Sequence, residues 1–232
     1  YSPVKNLIKI PDGVDAATAC VFACAGPTAL HALGLAQKAG VDLRQVATAV
    51  VQGMGPVGAF AVMYLAAAGV KNIVAVTGRA NTDKTAAAVK LGAAHVFNLE
   101  ETPIDDLTKK IKEISGGPGA DLVFEASGNP AAVPQGLGML RNRGVYLIPG
   151  QYSNSGTVAI APQLITFNAL QLIGSSQYSV SDVTAYLAFL QANPQLHALV
   201  LSLANCYRVE DTNKAIETAK SGKNIKTMLI NA

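Results

Sequence analysis

An α/β fold built around a doubly wound, Rossmann-type parallel sheet of six strands is what this sequence predicts, on three observations. Short apolar runs alternate with helix-period segments over most of the 232 residues, the element order that covers a parallel sheet with helices on both faces. Charged residues make up only 14% of the chain, against roughly 25% in an average soluble domain, as expected where strands are buried on both faces. A turn with glycines at 53, 55 and 58 separates the first apolar run from the helix behind it. Half of the residues are apolar, enough for a substantial core and too many for a disordered chain.

Val46 to Val51 reads as the first strand and Pro56 to Ala68 as the following helix, with Pro56 in the first turn, where its missing N–H costs nothing. Asn72 to Thr77 is the second strand. Thr82 or Asp83 caps a helix that runs to Leu91 and stops at Gly92, a common left-handed terminator. His95 to Asn98 is a short third strand. Ile104, Leu107, Ile111 and Ile114 recur at three- and four-residue spacing, one face of a helix that starts at Thr102-Pro103 and ends at Gly116. Leu122 to Glu125 is the fourth strand, Pro130 to Arg141 a helix capped by Asn129, Val145 to Pro149 the fifth strand and Gln171 to Ser175 the sixth. Crossovers between such parallel strands are right-handed. Ser181 to Gln191 and Glu210 to Ser221 read as helices, and Lys226 to Asn231 as a closing strand.

The net charge is +3 and no cluster of Lys or Arg would track a phosphate backbone, which argues against a nucleic-acid partner. Cys20, Cys24 and Cys206 are too few for a disulfide framework and suit a reducing compartment, so a cytoplasmic location is expected. No basic stretch leads into an apolar one near Tyr1, so no signal peptide is expected. Val46 to Val70 is uncharged and long enough to raise the question of a membrane span. Gln52, Gly53, Gly55, Pro56, Gly58 and Gly69 break it into strand, turn and helix, and no membrane partner is expected. From Gly144 to Tyr207 the only formally charged side chain is Asp182. Such a span either contacts another chain or domain or forms an uncharged, solvated surface, as Ser153, Asn154 and Ser155 would.

Gly53-Met54-Gly55-Pro56-Val57-Gly58 is a G-x-G-x-x-G pattern directly after a strand and opening a helix. In a dinucleotide site, Gly53 would permit the tight turn, Gly55 would leave room for a pyrophosphate, and Gly58 would let helix and strand pack closely. The anion would then face the helix N-terminus, with its unpaired N–H groups and positive dipole end. A free ribose diol calls for Asp or Glu about twenty residues further on. Thr77, nineteen residues past Gly58, is followed by Gly78 and Arg79, with no carboxylate among them. Arg79 could pair with a 2′-phosphate, which points to NADP. If Arg79 is only a solvated loop cation, the site is indifferent between NAD and NADP.

Residues 7–14 (LIKIPDGV), 20–29 (CVFACAGPTA), the glycine pattern, 90–93 (KLGA), 121–128 (DLVFEASG) and 221–223 (SGK) resemble, in order, landmarks of the medium-chain dehydrogenase/reductases, and most closely their zinc-dependent alcohol dehydrogenase branch. The resemblance covers essentially the whole chain. It implies a dinucleotide-binding domain over residues 26–177, with 1–25 and 178–232 belonging to a second, GroES-like domain of which only a remnant is present. It further implies that Cys24 is one ligand of a catalytic zinc, that Thr28 packs on the nicotinamide, that Gly150 approaches the carboxamide end, and that Lys226 contacts the pyrophosphate. The activity implied is hydride transfer between nicotinamide and a small alcohol or ketone. The region Thr157 to Ser175 resembles the strands through which such enzymes form homodimers.

The other zinc ligands and the proton-relay residues of that branch lie in an N-terminal domain not represented here, so this chain alone is expected to bind dinucleotide and to carry no catalytic residues. Cys20 and Cys24, four residues apart, are expected as two small buried thiols on one helical face, with the ligand role of Cys24 reserved for the intact enzyme. His31, His95 and His197 show no ligand spacing and are expected to pack or to face solvent. Glu125, at the end of its strand, is expected to hydrogen-bond structurally. A zinc-free quinone or enoyl reductase of the same superfamily, or a non-catalytic dinucleotide-binding module, are the alternative readings.

Overall fold

The computed structural model describes residues 3–151 and 154–231. Ser153, named above for a solvated surface, lies outside the described residues.

The N-terminal part forms two helices, α1 (Ala16–Val21) and α2 (Ala25–Lys38). Asp15 caps α1 by accepting from the Thr18 N–H at 2.9 Å. The sheet begins with β1 (Thr48–Gln52), followed by α3 (Pro56–Ala67), β2 (Asn72–Thr77), α4 (Thr82–Lys90), β3 (His95–Asn98), α5 (Ile104–Ile114) and β4 (Ala120–Glu125). Next come α6 (Ala132–Met139), β5 (Leu140–Ile148), α7 (Pro162–Phe167) and β6 (Gln171–Gly174). The chain ends with α8 (Val180–Ala192), α9 (His197–Ser202), β7 (Ala204–Arg208), α10 (Thr212–Ser221) and β8 (Lys226–Ile230).

Six strands lie side by side in the order β3-β2-β1-β4-β5-β6, all parallel, while β7 and β8 form a separate parallel pair. The chain moves outward in one direction from β1 to β3 and in the other from β4 to β6. The sheet's order therefore reverses between β1 and β4, which opens a crevice at the carboxyl ends of those two strands.

Strand periodicity sorts the apolar side chains into two cores. Ala49 and Val51 of β1, Ile73 and Ala75 of β2, Leu122 and Phe124 of β4, and Val145 and Leu147 of β5 belong to one. The alternating positions Val50, Val74, Val76, Val123 and Tyr146 belong to the other, as a two-residue period requires of strands covered on both sides. The first core includes α2, α3 and α8, where Phe22, Tyr186 and Phe189 surround Phe60 at centroid distances of 5.6 Å. The second is closed by α5 and α6 through Leu107, Ile111 and Leu137. Lys109, Lys110 and Lys112 of α5 face outward.

The doubly wound sheet appears as expected, with changes at the edges of elements. The helix expected over Pro130 to Arg141 covers only Ala132–Met139, and β5 starts at Leu140 rather than Val145. The cause is Asp121. Its Oδ2 accepts from the backbone N–H groups of Ala47 and Thr48 at 2.9 and 2.8 Å, and its Oδ1 accepts from Arg141 Nε, so Arg141 is drawn into the sheet's amino-terminal edge. Helices α1, α2, α7 and α9 and strand β7 were not assigned from the sequence. Among the described residues no helix is long and apolar enough to cross a membrane.

Asp121 thus ties three strands together at one edge. Replacing Asp121 by Ala leaves two backbone N–H groups and a guanidinium without their acceptor, and is expected to lower unfolding free energy by about 2–3 kcal/mol. Arg141→Ala, which removes only the more exposed partner, is expected to cost under about 1 kcal/mol. Urea unfolding of the two variants checks this, and equal losses would contradict it.

Candidate functional site

The glycine turn leaves β1 at the crevice. Gly53 has φ +97°, a left-handed conformation that L side chains avoid, and a β-carbon on it would lie 2.7 Å from the backbone of Ser127 on the neighbouring β4 loop. Its N–H donates to the Val76 carbonyl at 2.7 Å, holding the turn against the end of β2. At Gly58 a β-carbon would overlap the Gly53 carbonyl oxygen, so the first turn of α3 sits directly on the turn that precedes it. Gly55 differs, because a β-carbon there would meet nothing within 4 Å. It is the N-cap of α3, no side chain caps that helix, and Pro56 occupies its first turn. The N–H groups of Val57 and Gly58 lie in the first turn of α3, where no helical carbonyl accepts them, the arrangement that accepts an anion. A pyrophosphate fits this cradle.

Thr77, Gly78 and Arg79 follow at the carboxyl end of β2, beside the glycine turn, and the Thr77 hydroxyl donates to the Arg79 carbonyl at 3.0 Å, folding the loop. Arg79 is exposed and makes no ion pair among the described residues. The loop does hold a carboxyl that its own sequence lacks: Glu100, from beyond β3, accepts from the Ala80 N–H at 2.9 Å. Asn81 caps α4 by accepting from Lys84 N–H at 3.0 Å, and its amide donates to the Lys223 carbonyl at 3.3 Å. Burial lowers the pKa of Lys84. Lys226 lies on β8, and among the described residues no hydrogen bond joins it to the glycine turn.

On the other side of the crevice, Gly150 follows β5 and donates its N–H to the Glu125 carbonyl at 3.0 Å. A β-carbon on Gly150 would strike Glu125 Oε2. Glu125 is fully buried; its Oε1 accepts from Ser127 N–H, Ser127 Oγ and Gly128 N–H at 2.7, 2.6 and 2.9 Å, while Oε2 has no partner among the described residues. The structural role expected of Glu125 is visible here as the brace of the β4 loop that faces Gly53. Below it, Tyr146 donates to Gln52 Oε1 at 2.8 Å, and Gln52 Nε2 donates to the Ala132 carbonyl at 2.9 Å. Burial, and then Glu125, push the Tyr146 hydroxyl well above its ordinary value. Tyr146 was not singled out from the sequence, and Gln52 was named there only as a break in the apolar run.

Helix α2 packs against β5 and β6 and carries Thr28, whose hydroxyl donates to the Cys24 carbonyl at 2.8 Å. Cys24 and Cys20 are exposed, not buried, and they do not share a helix: Cys20 lies in α1 and Cys24 is the N-cap of α2. The turn after Val21 separates them, and it places Phe22 rather than the thiols in the core. Tyr178 lies beside Cys24, and burial together with the neighbouring thiol raises the tyrosine above its ordinary value. Among the described residues no three His, Cys, Asp or Glu side chains gather as a metal site. Cys24 could supply one ligand, and the described residues do not complete a tetrahedral set with it.

Of the histidines, His197 bonds the Leu190 carbonyl at 2.9 Å and His95 stacks on Phe97. His31 is more than a packing residue, since its Nδ1 lies 3.0 Å from Asp182 Oδ2 at the start of α8. A groove of about 670 Å³ between α4, β7 and α10, lined in part by Asp83, Lys90, Glu217 and Lys223, shares no residue with the glycine turn.

The two helix-opening glycines differ in what they tolerate. Gly55→Ala, with φ −82° and open space around it, is expected to change stability by less than about 1 kcal/mol. Gly58→Ala forces backbone overlap and is expected to cost at least about 3 kcal/mol. Thermal melting of the two variants measures the contrast, and a stable Gly58→Ala protein would show that α3 does not rest on the turn as described.

Residues 56–192 match the family model described as zinc-binding dehydrogenase. The chain is 28% identical to 5-exo-hydroxycamphor dehydrogenase of Pseudomonas putida, over 95% of this chain and 60% of that protein. It is 30% identical to sorbitol dehydrogenase of Bacillus subtilis, over 83% of this chain and 52% of the relative. The crystal structure of an alcohol dehydrogenase from Thermotoga maritima superposes with a TM-score of 0.86 at 25% identity, covering 97% of this chain and 60% of that one. The chain thus spans at most about 60% of the length of these relatives. With more than half of its residues matched by one family model, and with the strand order and glycine turn described above, the chain belongs to the zinc-binding dehydrogenase family.

Proposed function

We propose that this chain is the cofactor-binding part of an NAD(P)-dependent oxidoreductase acting on a small alcohol or ketone. The observation that carries the reading is the open cradle at Gly55, placed at the point where the sheet order reverses. The names of the relatives, which are dehydrogenases of hydroxylated small molecules, support the alcohol-type reaction. When bound, the nicotinamide supplies hydride transfer. The chain's residues hold it: Gly53, Gly55, Pro56, Val57 and Gly58 receive the pyrophosphate, aided by Lys226, while Thr28 and Gly150 flank the nicotinamide end. Cys24 would give one thiolate to a zinc whose other ligands come from outside the described residues.

NADP is the favoured cofactor because Arg79 is exposed and free to pair with a 2′-phosphate. The position of Glu100 at the Ala80 N–H favours a second reading, in which its carboxyl takes the ribose diol of NAD. We assign residues 26–177 to the dinucleotide domain. The flanking segments, with the two-stranded β7-β8 sheet, would complete a GroES-like domain, since a two-stranded sheet is marginal by itself. Residues 154–160 are all exposed, Phe167 is 79% exposed and β6 is an open edge. A second copy of the chain docked along Thr157 to Ser175 would cover them. A cytoplasmic location fits the free cysteines.

Titration with NADPH and NADH, followed by reduced-nicotinamide fluorescence, tests the reading. A preference of about tenfold or more for NADPH, equivalent to about 1.4 kcal/mol, is expected, and Arg79→Ala should remove most of it. Preference for NADH that Glu100→Gln abolishes would establish the second reading, and absence of binding to either would overturn both.

A further inference from the structure

His31 and Asp182 are separated by 151 positions and meet at 3.0 Å between the stripes of two helices. Both are largely shielded, with side-chain exposures of 28% and 19%, and Asp182 is the only formally charged residue from Gly144 to Tyr207. Burial disfavours the charge of Asp182, yet the Ser179 hydroxyl and N–H and then His31 outweigh it and hold its carboxyl below the usual carboxylate value. The Ser179 N–H and hydroxyl donate to the same Oδ2 at 2.7 and 2.6 Å. An otherwise uncharged segment therefore keeps one carboxyl and fastens it on both sides.

The geometry around the pair locates what it holds. Cys24, Thr28 and His31 fall at the i, i+4 and i+7 positions of one α2 stripe. The segment that leaves β6 comes back to that stripe, with Tyr178 beside Cys24 and Asp182 bonded to His31 at 3.0 Å. Thr28 lies between Cys24 and His31 on that stripe. Behind them the helices approach so closely that a β-carbon on Gly26 would enter the Tyr186 ring, and the Tyr186 hydroxyl donates to the Ala19 carbonyl at 3.0 Å. The back of the α2–α8 contact is therefore closed by packing, and its front, beside Thr28, is set by the His31–Asp182 bond.

From this we infer that His31 and Asp182 are positioning residues for the nicotinamide end of the cofactor: their bond fixes the segment 175–182 against the α2 stripe and so sets the wall that Thr28 presents. The inference rests on the dinucleotide reading above. It assigns the pair no contact with the cofactor and no proton transfer, and it concerns one end of the ligand only. Adenosine and pyrophosphate would bind at the glycine turn and the Arg79 loop, on other elements, and would not sense the pair.

The test compares two ligands on the same protein: NADPH, and 2′-phospho-ADP-ribose, which lacks the nicotinamide. In His31→Ala and Asp182→Asn, the affinity for NADPH is expected to fall about fivefold relative to that for the truncated ligand. His31→Asn, whose amide nitrogen can take the place of Nδ1, should restore most of the ratio. Asp121→Ala serves as a control for general destabilisation, since it weakens the opposite edge of the sheet, and should keep the wild-type ratio. Equal loss of both ligands in the His31 and Asp182 variants, or loss of neither, would overturn the inference and reduce the pair to a packing contact. Failure of the wild-type protein to bind either ligand would instead overturn the dinucleotide reading on which it rests.

Discussion

The close approach of Gly58 to the Gly53 carbonyl is the constraint on which the rest of this structure depends. It brings the first turn of α3, whose N–H groups no helical carbonyl accepts, down onto the turn that leaves β1 where the strand order reverses. Gly53 is held in turn by Val76 on one side and by the β4 loop on the other, and Glu125 braces that loop with three accepted hydrogen bonds. The proposed anion cradle is thus lined by backbone, and the loop behind it is braced by the buried Glu125 carboxyl.

The same economy of charge runs through the fold. Strands buried on both faces send alternate residues into two cores, which leaves few positions for ionised groups away from the outer helices. Where a charge is retained inside this frame it ties elements that are distant in sequence: Asp121 joins β1, β4 and β5 at the amino edge, and Asp182 joins α2 to α8 beside the carboxyl edge. One end of the sheet is thereby locked for stability, and the other is arranged around the crevice.

Much of the architecture was legible in the sequence because it is written in local periodicity. The six strands of the main sheet and the helices α3, α4 and α5 follow from apolar runs, an i, i+3, i+4 stripe and glycine stops, and the glycine turn has the spacing its geometry demands. Helix α2 escaped because its stretch is rich in alanine and glycine and apolar on most sides, so no stripe stands out. The start of β5 was misplaced because Arg141 is recruited by Asp121 from another strand, a tertiary effect with no local mark. The same holds for Glu100 at the Arg79 loop and Tyr178 at Cys24, which are brought in by the fold. Asp182 did leave a mark, as a lone charge in a long neutral span, but nothing local named His31 as its partner.

The central claim is that the backbone at the end of β1 receives the diphosphate of a dinucleotide, and backbone amide NMR of the 15N-labelled protein addresses it most directly. On addition of NADPH, the account predicts that the largest amide shift changes fall on Gly53, Gly55, Val57 and Gly58, with smaller ones at Gly78, Arg79 and Gly150. Changes confined to the groove between α4, β7 and α10, with those glycine-turn amides unmoved, would contradict it.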